Sequence, residues 1–433
     1  DFWTQVIDIE LPPIVRFERQ GGGKDAVDRA AKLLSEAKFP VILSGAGVVI
    51  GDAIDDCKKL AEKLDAPVCN GYQHNDSFPG SHPLAVGPLG YNGSKAAMEL
   101  ISKADVVLAL GTRLNPFSTL PGYGIDYWPK DATIIQVDMN PDRIGLTKKV
   151  TVGICGDAKM VAQQILEKLS SNAGDNGRED RKNLIHQTKS AWLQTLTSLD
   201  HEDDDPGTVW NKEARERDKD RMSPRQAWRA IQAGMPEDVI ISSDIGNNCA
   251  IGNAYPTFEK PRKYLAPGLF GPCGYGFPSI LGAKIGCPNT PVIGFAGDGA
   301  FGISMNEMSS CAREEWPAIT MVIFRNYQWG AEKRNSILWF DDNFVGTELD
   351  PELSYAKVAN ACGLKGVIAN TMEETTKAIK QSCEDQKKGI TTFIEIILNQ
   401  ELGEPFRRDA MKKPVKVAGI SKSDMRPQKS LVS

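Results

Sequence analysis

Two apolar runs in this chain, Pro291 to Ala296 and Ala318 to Phe324, each break off at a segment carrying ligating oxygens. The first leads into Ala296-Gly297-Asp298-Gly299-Ala300-Phe301, the second into Arg325-Asn326-Tyr327-Gln328-Trp329-Gly330. Short runs this apolar read as strands buried on both faces, the pattern of a parallel sheet covered by helices. Open sheets of that kind bind ligands beyond the carboxyl ends of their strands. Asp298 and Asn326 stand at those ends, 28 residues apart. A carboxylate, an amide carbonyl and a nearby main-chain carbonyl make an all-oxygen cluster that suits Mg²⁺, which usually keeps phosphate oxygens in its shell. Gly297 and Gly299 let backbone N–H groups approach a phosphate closely. An isolated Asp-Gly is ordinary turn chemistry, but paired with a second strand ending in Asn it predicts a site for a metal-bound diphosphate.

Bulk properties narrow the class. The 433 residues allow two to four domains with ample core. A net charge of -5 argues against nucleic acid as the main partner. No apolar run approaches the ~18 residues of a membrane span, so no membrane association is expected. The first residues, Asp1-Phe2-Trp3-Thr4, carry no signal-peptide pattern. Nine scattered cysteines contain no Cys-x-x-Cys pair, which suits free thiols in a reducing cytoplasm. The four histidines form no zinc-type spacing.

The fold class expected is α/β, with two doubly wound, mainly parallel-sheet domains joined by a charged linker. Residues 1–20 read as an arm, since Leu11-Pro12-Pro13 stops regular structure and Gly21-Gly22-Gly23 marks a join. Residues 21–170 alternate amphipathic helices with apolar strands and form a central Rossmann-like domain. Its Gly45-Ala46-Gly47 turn lacks the G-x-G-x-x-G of a dinucleotide site. Residues 171–221 are polar and densely charged, a solvated linker with a helix or two. Residues 222–400 form the second domain, opened by Ser223-Pro224 as cap and first turn. Residues 401–433 are a basic tail.

Two further segments of the second domain belong to the expected site. Val239 to Ser243 runs into Asp244-Ile245-Gly246-Asn247-Asn248, and a glycine-dense loop, Gly268 to Pro278, precedes a helix from Ser279 to Ile285. Glycine loops opening onto helix N-termini bind phosphate through free N–H groups.

These segments together resemble the thiamine-diphosphate enzymes, whose signature is Gly-Asp-Gly, some thirty residues, then Asn. The resemblance implies that Asp298, Asn326 and the main-chain oxygen of Gln328 hold Mg²⁺. It places Gly246, Asn247, Asn248, Gly271, Gly297, Gly299 and Ala300 at thiamine diphosphate. Cys273 falls where a larger apolar residue usually supports the thiazolium ring. Arg325 stands where many members have a first Asn. The stretches Asn326 to Asn335, Trp339 to Leu349 and Glu404 to Pro414 are similar, more narrowly, to the sulfoacetaldehyde acetyltransferase family. That likeness covers nearly the whole chain. It implies conversion of sulfoacetaldehyde and phosphate to acetyl phosphate and sulfite through the cofactor's ylid. Both substrates are small anions, so Arg325, Lys333, Arg334, Arg407 and Arg408 are the candidate cations. The resemblance also implies a homodimer or homotetramer, and no redox cofactor is expected in the central domain. The family's N-terminal pyrimidine-binding domain supplies a catalytic Glu that nothing in this chain matches, so these residues alone are expected to be inactive. The alternatives are an acetolactate-synthase-like carboligase or decarboxylase, a non-catalytic thiamine-diphosphate-binding fragment, and a nucleotide-binding regulator.

Overall fold

Both sheets foreseen in the sequence are present in the computed structural model, which describes residues 10, 12–13, 18–199, 216, 218–268, 270–339 and 345–401. The first sheet contains β1 (Pro40–Ser44), β2 (Val68–Asn70), β3 (Ala85–Pro88), β4 (Val106–Leu110), β5 (Thr133–Asp138) and β6 (Val152–Cys155). Their spatial order is β3-β2-β1-β4-β5-β6 and all neighbours are parallel. The second sheet contains β7 (Ile240–Ser243), β8 (Tyr264–Leu265), β9 (Val292–Gly297), β10 (Thr320–Arg325), β11 (Lys365–Ala369) and β12 (Thr392–Ile397). Its order is β11-β12-β10-β9-β7-β8, again parallel throughout. Parallel strands need crossover helices, and those helices cover both faces. The fold is therefore α/β with two parallel sheets.

Side-chain alternation divides the second sheet's core into two layers. Val322 and Phe324 of β10 pack with Trp228, Phe295, Ile394 and Ile396 on one face. Met321 and Ile323 pack with Phe277, Phe301, Tyr355 and Phe393 on the other. The helix Pro224–Gly234 begins as its sequence requires. Ser223 Oγ accepts from Gln226 N while the Gln226 side chain accepts from Ser223 N, a reciprocal cap with Pro at the first turn.

The segment 171–221 holds more order than its polarity implied. Arg178–Leu199 is a 22-residue helix, and Arg181, Ile185, Trp192 and Leu196 recur at helical spacing along its buried side. Arg181 is 1% exposed and its guanidinium donates to the main-chain oxygens of Lys38, Leu64, Asp65, Gly174 and Asn176. A cation facing five carbonyls ties this helix to the central domain, so its charge marks an anchor rather than a solvated face.

The two domains meet at their ligand-binding ends. Asn75 Nδ2 donates to Asn253 O and Pro256 O at 3.0 and 2.8 Å. Asn253 in turn accepts from Gln73 N and donates to Tyr91 O. Within the central domain the Gly45-Ala46-Gly47 turn lies against the end of β4. Gly45 N and Gly47 N donate to Leu110 O and Gly111 O, and a Cβ on Gly47 would stand 2.6 Å from Gly111 Cα. These glycines serve close backbone packing.

Candidate metal and phosphate site

Strand order puts three strand ends side by side. β9 lies between β7 and β10, so Asp244–Asn248, Asp298–Ala300 and Asn326–Trp329 emerge at one edge. Together they line a narrow cleft of about 70 Å³ whose walls include Gly246, Asn247, Asn248, Cys273, Gly297, Asp298, Gly299, Ala300, Asn326 and Gln328. The glycine loop is pinned there by Asp244, whose carboxylate accepts from Ile245 N, Gly274 N and Gly276 N at 2.8, 3.1 and 2.7 Å. Burial pushes that carboxyl up, and the three N–H donors oppose the shift. Gly246 has φ 135°, a backbone shape reserved for glycine, with open space where a Cβ would be. Asn247 and Asn248 follow in a short helix, and both amide atoms of Asn247 are buried without a partner.

Asp298 is 1% exposed, and its two oxygens differ in environment. Oδ2 accepts from Arg325 Nη1 at 3.1 Å and from Tyr327 N at 2.6 Å. Oδ1 accepts only from Gly299 N, at 2.9 Å, and faces Asn326. Burial pushes the carboxyl up to about 6, against the pull of Arg325 and the two N–H groups.

The amide oxygen of Asn326 lies 3.3 Å from Asp298 Oδ1 and 3.3 Å from Gln328 O. The Asn326 oxygen thus faces two other acceptors with no proton between them. A half-turn of the Asn326 amide would relieve the conflict by putting its nitrogen among these oxygens. A dication would relieve it among the oxygens, leaving the Asn326 NH₂ against the NH₂ groups of Gln328 and Asn248. Octahedral Mg–O bonds of ~2.0–2.1 Å leave adjacent oxygens ~3 Å apart, a few tenths of an ångström inside the observed spacing. Asn248 Oδ1, buried and unpaired, would then meet the Asn326 NH₂ after a half-turn of its own amide. The donor set fits a hard dication. Among the described residues no group of three His, Cys, Asp or Glu forms a metal site, so amide and main-chain oxygens are what this site offers.

The expected substrate cations lie elsewhere. Arg325 is fully buried, with its guanidinium 3.1 Å from Asp298 Oδ2 and 3.6 Å from Glu395 Oε1, and it also donates to Asp350 O and Leu353 O. This corrects its expected role: it shares the inward face of β10 with Met321 and Ile323 and cannot reach a substrate in the cleft. Lys333 is 1% exposed and ion-paired with Glu348, and Arg334 is 7% exposed. Neither belongs to the walls of the cleft. Arg407 and Arg408 lie outside the described residues.

Gly271 sits apart from the cleft proper. It lines an adjoining cavity of about 270 Å³ between the domains, which shares Ile245, Gly246, Asn247 and Ala331 with the cleft. Tyr72, Gln73, Tyr91 and Phe117 of the central domain form its far wall. The Tyr72 and Phe117 rings stack 5.9 Å apart, with Tyr91 edge-on to both. The sequence reading did not single out these residues, nor Trp329 and Glu332 of the cleft. The aromatic wall follows β2, β3 and β4 at their carboxyl ends, a placement that only the joined sheets reveal.

Known proteins resemble this chain along both domains. The family described as "Thiamine pyrophosphate enzyme, central domain" matches residues 27–165, and "Thiamine pyrophosphate enzyme, C-terminal TPP binding domain" matches residues 244–396. A "Probable sulfoacetaldehyde acetyltransferase" from Rhizobium meliloti (strain 1021) is 77% identical over 431 residues, spanning 100% of this chain and 73% of that protein. The chain belongs to the sulfoacetaldehyde acetyltransferase family. A second relative, the "Sulfoacetaldehyde acetyltransferase" of Roseovarius nubinhibens (strain ATCC BAA-591 / DSM 15170 / ISM), is 73% identical over 99% of the chain and 71% of its own length. Among solved structures, benzoylformate decarboxylase from Polynucleobacter necessarius superposes with a TM-score of 0.68 at 20% identity, covering 92% of this chain and 69% of that one. That likeness speaks for the fold. Membership in this family makes thiamine diphosphate the cofactor of the 244–396 domain.

Proposed function

We propose that the protein converts sulfoacetaldehyde and phosphate to acetyl phosphate and sulfite, using thiamine diphosphate anchored through Mg²⁺. The observation that carries this reading is 77% identity along the chain to a "Probable sulfoacetaldehyde acetyltransferase", together with an Asn326 oxygen that faces Asp298 Oδ1 and Gln328 O. When bound, thiamine diphosphate supplies an electron sink beside the substrate's carbonyl carbon. The protein's own residues hold and shield it. Asp298 Oδ1, the Asn326 amide oxygen and Gln328 O would take Mg²⁺. Gly246, Asn247, Asn248, Gly297, Gly299 and Ala300 would receive the diphosphate, and the orphaned amide of Asn247 supports this assignment. Cys273 would lie along the ring and Gly271 at the entrance to the interdomain cavity. Tyr72, Tyr91 and Phe117 would keep water from the reacting carbon. Among the described residues no Lys or Arg lines the cleft or the cavity, so amides and N–H groups would meet the anions there.

The same reading takes small anions as the partners and a homodimer or homotetramer as the assembly. It places the protein in the cytoplasm, a location that nine cysteines free of disulfides support. Among the described residues no helix is long and apolar enough to cross a membrane. The test is sulfite release from sulfoacetaldehyde with and without phosphate, beside acetolactate formation from pyruvate, run on a chain that also carries a pyrimidine-binding domain and on these 433 residues alone, which we propose are inactive without that domain's Glu. Phosphate-dependent sulfite release supports the proposal; acetolactate without sulfite would replace it with a carboligase.

A further inference from the structure

The buried guanidinium of Arg325 has no counterpart in the roles assigned above, and its position has a consequence for the metal. Arg325 is 0% exposed at the end of β10. Its Nη1 meets Asp298 Oδ2, its Nη2 meets Asp350 O and Leu353 O, and its Nε faces Glu395 Oε1. Its Cζ lies 4.2 Å from the Tyr327 ring centroid and 5.5 Å from that of Tyr355. Glu395 is fixed in turn by Ser354 Oγ and Ala356 N. Both terminal nitrogens are hydrogen-bonded, while Nε lies 3.6 Å from Glu395 Oε1 in an ion pair without a hydrogen bond.

We propose that Arg325 is a positioning residue that keeps Asp298 a one-oxygen ligand and so favours Mg²⁺ over Ca²⁺. Asp298 Oδ2 is closed by two donors, Arg325 Nη1 and Tyr327 N, while Oδ1 alone faces the Asn326 oxygen, which in turn faces Gln328 O. Rotating the carboxylate to present both oxygens would break the ion pair inside a buried site. Mg²⁺ takes six oxygens in a strict octahedron and accepts a single carboxylate oxygen readily. Ca²⁺ is larger, takes six to eight, and often gains by bidentate carboxylates. A carboxylate locked to one oxygen withholds that gain. The planar guanidinium suits the task because it can hold Asp298 and Glu395 at once in fixed directions.

The inference rests on the metal–cofactor reading above, and its test separates the two. Thiamine diphosphate binding to the protein is titrated by calorimetry in Mg²⁺ and again in Ca²⁺, for wild type, Arg325→Met and Arg325→Lys. Wild type is expected to bind in Mg²⁺ more tightly than in Ca²⁺. In R325M the ratio of the two affinities should move toward Ca²⁺ by about tenfold, roughly 1.4 kcal/mol. R325K, which keeps one charged donor near Oδ2, should stay within about threefold of wild type. Both metals carry the same charge, so the altered field of the variant cancels from the ratio. A general loss of structure would likewise weaken both metals alike. If R325M does not fold, Arg325→Gln, which also removes the charge, takes its place: a shift of its ratio toward Ca²⁺ supports the proposal, and an unchanged ratio overturns it. An unchanged ratio in a folded R325M, or a tenfold shift in R325K, overturns it. Absence of metal-dependent cofactor binding in wild type would instead overturn the reading on which it rests.

Discussion

Replacing Gly299 by Ala adds one carbon at the most crowded point of the cradle. A Cβ there would lie 2.7 Å from Cδ2 and 2.8 Å from Cε2 of Trp329, against the ~3.5–4.0 Å at which carbon atoms rest. The indole must move by nearly 1 Å, and overpacking of this kind costs about 1–3 kcal/mol. Where that cost appears depends on which way Trp329 goes. If the ring stays, the strain lowers the stability of the free protein by that amount. Because Trp329 lines the cleft, the ring can also relieve the strain by tilting into the space meant for phosphate. Cofactor must then push it back, and 1–3 kcal/mol becomes a loss of roughly 5–150-fold in affinity. Denaturant unfolding of the cofactor-free protein and calorimetric titration with thiamine diphosphate and Mg²⁺ measure the two parts. Gly282→Ala is the control, since a Cβ there meets nothing within 4 Å in the helix Gly276–Gly286. It should be neutral or stabilising by up to ~1 kcal/mol. A G299A protein with wild-type stability and wild-type affinity would refute the crowding argument.

Two further expectations follow from buried charge. His74 is held down to about 4 by burial and by the nearby Arg113 charge. Its ordinary value is 6.5, so below that pH the unfolded chain binds a proton that the folded one refuses. This part of stability is complete above about pH 6.5 and is lost as pH falls toward about 4, by at most ~3 kcal/mol. Unfolding of wild type and His74→Gln at pH 7 and pH 4.5 should show a smaller acid loss in the variant; equal losses would contradict it. Arg181→Met should cost ~3–5 kcal/mol, the range for stranding buried partners of a charge, because five main-chain oxygens lose their donor. A change below ~1 kcal/mol in denaturant unfolding would show that water replaces the guanidinium there.

What was legible in the sequence was what depends on local pattern. The apolar runs that became β7, β9 and β10 stood out because a strand buried on both faces admits few polar residues. Strands such as β2 and β8, three and two residues long, carry too little pattern to be seen. Asp298 and Asn326 were legible because a strand's end fixes where the next residue emerges. Arg325 was misplaced because charge was taken to mean access to ligand. Period-two alternation held the better signal: Arg325 follows Met321 and Ile323 on one face of β10, and Glu395 follows Phe393 on the same face of the neighbouring β12. The helix Arg178–Leu199 agrees with a helix in that charged segment, but its burial was hidden because polar residues outnumber a sparse buried stripe. Tyr72, Tyr91 and Phe117 come from a different domain than Asp298, and no local pattern relates them.

The central claim is that Asp298, Asn326 and Gln328 jointly hold one dication. Mn²⁺ in place of Mg²⁺ makes it visible, through its anomalous scattering in crystals grown with thiamine diphosphate. One anomalous peak within about 2.0–2.3 Å of Asp298 Oδ1, the Asn326 side-chain oxygen and Gln328 O is the expected result. A peak elsewhere, or an Asn326 amide whose nitrogen points at Asp298 with cofactor bound, would contradict it.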